Sequence, residues 1–325
     1  PVRHLRISRS AISACLPISL LQVSDRRMGS KTPLILYVPG LMPKPPEAVH
    51  RKALSDSLAA GIRASGAELA GPAEALEVYA WTERFYGQSR DFTLDAASVE
   101  RLLTLTGASD RDAREARSVR RRLQRGLFRF GDLLPSLIPY FATERQRLHI
   151  RDLNRYALNA DDSATRIREG LRSRLTTAAD DKRPVLLIGH SMGSVICWDT
   201  LWESERSGRA SAPVALFMTM GSPLGQRYVQ QRLLSSKERD VTRFPRAIER
   251  WVNLAATGDM TSLDQRLQND FARRFPEEKL RIEDYPLVNA FRLDGVLNPH
   301  AEYGYLASPV AARIVVEWWR AASVD

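Results

Sequence analysis

Three polar side chains, scattered along 325 residues, have the types and settings needed for acyl-transfer chemistry. Ser191 stands in "LLIGHSMGSVICWD" (186–199), where a strand-like apolar run meets a helical pattern through Gly189-His190-Ser191-Met192-Gly193. Glycines two before and two after a serine let strand and helix pass closely, so the serine can occupy a strained turn with its hydroxyl exposed. A serine hydroxyl is hardly ionised at neutral pH and needs a base. Only His300, in "LDGVLNPHAEYGYL", follows Ser191 among the five histidines. His190 belongs to the turn and His149 precedes the serine, so both are expected to be structural. The carboxylate that would orient the base is expected after the preceding strand. "RWVNLAATGDMTSLD" supplies Asp259 there, with Asp264 as nearest rival and Asp294 as a remoter one. An oxyanion formed at Ser191 needs two donors. The backbone N–H of Met192 is one; the other is expected in "VPGLMPKPP", at Leu41, with Met42 next.

The elements that must position these residues follow from periodicity. "PLILYV" (33–38) is a continuous apolar run of the kind expected of a strand buried on both faces. Helical spacing over 45–66 and a strand at 75–81 complete a βαβ unit. Beyond the segment 83–150 come a helix at 161–178 and a strand at 184–189. A helix at 193–206 follows, then strands at 213–220, 250–255 and 287–293, and a closing helix over 304–322. Such alternation implies an α/β fold with a mostly parallel central sheet and helices on both faces. The charged stretch 225–248 is expected to be a small insertion between strands. Residues 28–325 are expected to form one domain, and 1–27 a disordered or non-native extension outside it.

The segment 83–150 interrupts the alternation as a helical, cap-like insertion. In "RSVRRRLQRGLFRFGDLLPSLIPYF", Val119, Leu123, Leu127 and Phe130 share helical spacing, with Arg120, Arg121, Arg122, Arg125 and Arg129 largely elsewhere on the wheel. Two readings stand open: an amphipathic helix packed on its own domain, or a lid or peripheral element whose basic face meets an anionic membrane.

Composition narrows the rest. The formal charge is +10, yet the chain has only six Lys among 48 basic residues, and no aromatic-interleaved basic stripe appears; no nucleic-acid partner is expected. Two cysteines, Cys15 and Cys197, make no disulfide framework, which favours a reducing, cytoplasmic setting with peripheral membrane contact as the variant. No apolar run reaches the ~18 residues that a membrane span needs. The scattered histidines form no metal-ligand cluster, and no cofactor is called for. The oligomeric state is left open.

The motifs "YVPGL", "GHSMGSVICWD", "TMGSPLG", "RWVNLAATGD" and "NPHAEY" together resemble the α/β-hydrolase superfamily, its lipase- and esterase-like members above all, from about Leu34 to Trp319. The resemblance implies Ser191 as nucleophile, Asp259 as acid, His300 as base, and Leu41 with Met192 as oxyanion donors. Pro39 stands where many relatives have a histidine before the glycine. The implied activity is hydrolysis of carboxylic esters of a hydrophobic or acyl-lipid kind. Thioester cleavage or transfer to an acceptor other than water is the alternative among enzymes. A catalytically inactive module binding anionic lipid or a protein partner is the alternative from another class.

Overall fold

The computed structural model describes residues 32–133, 144–208, 213–238, 243–263, 265–269 and 282–323. The expected extension 1–27 and the rival Asp264 lie outside the described residues. Among the described residues six strands form one parallel sheet in the order β2-β1-β3-β4-β5-β6. They are β1 (Leu34–Val38), β2 (Leu76–Val78), β3 (Val185–His190), β4 (Leu216–Met220), β5 (Trp251–Ala256) and β6 (Ile282–Leu287). Its pairings are parallel throughout.

Parallel strands need crossovers, and two of them run through long helices: α1 (Glu47–Ala64) joins β1 to β2, and α8 (Met192–Arg206) joins β3 to β4. Between β2 and β3 come α2 (Trp81–Tyr86), α3 (Thr93–Leu103), α4 (Asp110–Ala116), α5 (Val119–Leu133), α6 (Glu144–Leu158) and α7 (Ser163–Asp180). The described chain closes with α9 (Glu302–Leu306) and α10 (Pro309–Ala322). The single closing helix expected from periodicity is broken at Ser308-Pro309. Pro309 cannot donate to a preceding turn, and the Ser308 hydroxyl instead accepts the Val310 N–H at 3.3 Å as a new N-cap.

Each sheet face buries its own core. Leu34, Leu36 and Val38 pack with Leu171, Val195 and Trp198 on one side; Ile35 and Tyr37 pack with Leu54, Leu58 and Val315 on the other. Apolar residues at every position of β1 are therefore what a strand covered twice requires.

The last strand differs from its expected position. Of residues 287–293 only Leu287 belongs to the sixth strand: Arg292–Leu293 pairs with Val296–Leu297 as a small antiparallel ribbon, and β6 lies upstream in "IEDYPL". Among the described residues this strand is an edge with β5 beside it, so it tolerates Pro286 and polar residues that hide it from a hydrophobicity pattern. Asp284 in β6 accepts from Asn253 at 2.8 Å and from the Leu267 and Gln268 N–H groups at 2.9 and 3.0 Å.

Helix α5 also departs from pattern. Val119, Leu123 and Leu127 are 70, 66 and 51% exposed, while Arg121 and Arg125 turn inward and donate to the Leu297 and Leu263 carbonyls at 2.8 and 2.9 Å. Inward arginines follow from what the helix covers, a rim of loop carbonyls that need donors. Among the described residues no helix is long and apolar enough to cross a membrane.

Candidate active site

β3 passes into α8 through Ser191 alone, which takes φ 51° and ψ −123°. A non-glycine residue held at positive φ costs on the order of 1–3 kcal/mol, so the surroundings must enforce it. They do so on both sides of the residue. The Ser191 N–H donates to the Met220 carbonyl at 2.9 Å, and the Ser191 carbonyl accepts from the N–H and hydroxyl of Ser194 at 3.0 and 2.6 Å. The flanking glycines are there for close approach. A Cβ on Gly189 would stand 2.6 Å from Ser194 Cα, and one on Gly193 would run into the carbonyls of Val38 and Pro39.

From this turn the Ser191 hydroxyl lies 3.0 Å from His300 Nε2, and His300 Nδ1 lies 2.9 Å from Asp259 Oδ2. Ser191 follows β3, Asp259 follows β5 and His300 comes after β6, so all three sit beyond the carboxyl edge of the sheet. Ligand sites form at this edge in open α/β sheets, next to the point where strand order reverses, here between β1 and β3.

Asp259 is fully enclosed. Burial alone raises its pKa, but the charge and hydrogen bond of His300, the Thr261 N–H at 2.8 Å and the Tyr305 hydroxyl at 2.8 Å together hold it below the ordinary carboxylate value. An ionised Asp259 accepts from Nδ1–H, which leaves the Nε2 lone pair facing the serine. The arrangement can pass the Ser191 proton to the imidazole. Asp294 is exposed at a positive-φ turn, in the wall of a cavity of about 570 Å³ that Ser191, Asp259 and His300 also line.

Leu41 and Met192 border the serine. Met192 opens α8, so its N–H belongs to the first turn, which has no intrahelical acceptors. Both residues line an apolar cavity of about 140 Å³ with Ser191. Met42, the second candidate donor, is committed elsewhere. Its N–H donates to the Tyr86 hydroxyl at 3.1 Å, which donates in turn to Asp152 Oδ2 at 2.8 Å.

Several participants carry no sequence signal. Asn289 is buried and its amide donates to the Pro299 and Ala301 carbonyls at 3.0 and 2.8 Å, while His190 Nε2 donates to the His300 carbonyl at 3.0 Å. The histidine loop is thereby strapped at three successive carbonyls. Beneath it, buried Glu302 accepts from Tyr37 at 2.9 Å, Lys44 at 3.0 Å and His50 at 3.1 Å. Burial pushes the Glu302 pKa up, but Lys44 and the histidines outweigh it and hold the carboxylate well below the usual range. His149, expected to be structural, lines both cavities that reach Ser191.

Comparison with known proteins finds no matching family model and no matching curated protein. The geometry of the site therefore carries the functional reading.

Proposed function

We propose that this chain is a serine hydrolase of carboxylic esters with an apolar acyl group, built on an α/β-hydrolase fold with the helices between β2 and β3 as its cap. The observation that carries this reading is the hydrogen-bonded series Ser191–His300–Asp259 joined to a strained serine at a strand-to-helix turn. Ser191 Oγ attacks the carbonyl carbon while His300 Nε2 takes its proton. The tetrahedral oxyanion is held by the N–H groups of Leu41 and Met192, and His300 returns the proton to the departing alkoxide. Water then attacks the acyl-enzyme with His300 as base, releasing the acid and restoring the serine. Asp259 keeps the imidazole oriented and stabilises its cationic form without taking the proton. The acyl group is assigned to the apolar cavity of Leu41, Ile150, Leu153, Met192 and Val229. Turnover of p-nitrophenyl butanoate tests this: the wild type hydrolyses it and Ser191→Ala loses at least ~10³-fold in kcat. Equal rates in the two proteins contradict the reading.

A second reading, peripheral contact with an anionic membrane, is favoured by the exposed row Val119, Leu123 and Leu127 beside exposed Arg120 and Arg122. Arg121 and Arg125, turned inward, are assigned no part in it. Co-sedimentation with phosphatidylserine vesicles that weakens with salt supports it; no binding at low salt contradicts it.

A further inference from the structure

Two cavities meet at Ser191, and they differ in chemistry. The apolar one, about 140 Å³, holds Leu41, Ile150, Leu153, Met192, Val229 and Leu263. The larger, about 570 Å³, contains His300 and three basic side chains, Lys44, Arg90 and Arg121. Lys44 is bonded to Glu302 at 3.0 Å and Arg90 to Asp95 at 2.8 Å. Arg121 makes no ion pair among the described residues. It is half-buried, and one of its five N–H donors goes to the Leu297 carbonyl at 2.8 Å. Glu115, a nearby carboxylate, is engaged by Arg292 at 2.7 Å and by the Leu297 N–H at 3.3 Å.

We propose that Arg121 binds a carboxylate or phosphate carried by the alcohol portion of the ester, so that the leaving group of this reaction is anionic. The inference rests on the hydrolase reading. Position supports it: the Arg121 stem passes over Gly258, whose Cβ, if present, would stand 3.2 Å from Arg121 Cδ, and Gly258 adjoins Asp259. Charge supports it as well. A guanidinium held partly out of water with most of its donors uncommitted gains by meeting an oxyanion bidentately. Burial depresses its pKa and Arg120 and Arg292 repel it, against the pull of Glu115 and Asp259. The anion belongs to the leaving group because His300, which must protonate the departing oxygen, lines the larger cavity, whereas a charge placed among Ile150, Leu153 and Val229 would lose its hydration without compensation.

The test compares 4-(butanoyloxy)benzoate with its neutral analogue 4-(butanoyloxy)benzamide, which share an acyl group and a phenolic leaving atom. The wild type should favour the benzoate in kcat/KM by about tenfold or more at low salt, with the preference shrinking as salt is raised. Arg121→Gln should lower the benzoate-to-benzamide ratio about tenfold, and Arg121→Lys should fall between. A phosphonate in place of the carboxylate tells which anion fits better. A wild-type ratio near one, or equal losses on both esters in Arg121→Gln, overturns the proposal and leaves Arg121 as an anchor to Leu297. Absence of Ser191-dependent turnover of either ester overturns the hydrolase reading itself, and the proposal with it.

Discussion

In β3 every residue from Val185 to His190 is buried, and the strand is fixed by neighbours on both faces. In α5, by contrast, Val119, Leu123 and Leu127 face outward and Arg121 and Arg125 hold the helix to loop carbonyls. One region is positioned by removal of apolar surface from water, the other by charged donors laid across the rim of a polar opening. A buried leucine contributes roughly 1.5–3 kcal/mol and a hydrogen bond to a charged group about the same when made, but far less if solvent can replace it. The hydrophobic pattern alone therefore orients β3 correctly and α5 backwards.

This contrast can be broken by mutation. Leu187→Ala in β3 should cost about 2–5 kcal/mol in urea unfolding, the cost of lost burial plus a cavity. A loss under 1 kcal/mol would mean that the sheet core is not packed as described. Beneath the site, burial first and then repulsion from His300 push the His190 pKa down from 6.5 to about 3. The unfolded chain binds this proton below pH 6.5 and the folded one does not, so folding stability falls as pH drops from 6.5 toward 3, by up to about 1.4 kcal/mol per pH unit. His190→Gln should flatten that slope in unfolding curves taken between pH 4.5 and 7.5. An unchanged slope contradicts the burial of a neutral ring.

The loop after β1 is held by a third device, a hydrogen-bonded pair of side chains. Tyr86→Phe removes the acceptor of the Met42 N–H and the donor to Asp152, so kcat for an ester should fall about tenfold while KM and thermal midpoint barely move. Parallel changes in KM would point to substrate binding instead. Smallest of all, Leu123→Ser in α5 should change stability by no more than ~0.5 kcal/mol, since the side chain is already in water. A loss like that of Leu187→Ala would show that another surface covers the helix.

How much was legible beforehand follows the same division. The convergence of Ser191, His300 and Asp259 was legible in their sequence settings, because each comes after the carboxyl end of a sheet strand. β1, β3 and β5 announced themselves as apolar runs. Strand β6 did not, since an edge strand carrying Glu283, Asp284 and Pro286 has no two-sided burial to advertise. Asn289, Glu302 and the Tyr86–Asp152 pair were invisible for another reason: each acts through a hydrogen bond to a residue distant in sequence, and no local period records such a partner. The orientation of α5 depended on carbonyls at Leu263 and Leu297 that only the folded chain brings beneath it.

The central claim is that His300 activates Ser191 as a nucleophile. Labelling with a fluorophosphonate probe, read by intact mass and peptide mapping, tests it most directly. The account predicts a single adduct on Ser191 in the wild type, none in Ser191→Ala, and labelling slowed at least ~10²-fold in His300→Ala. A folded wild type that takes up no probe, or an adduct that persists when Ser191 is replaced, would contradict it.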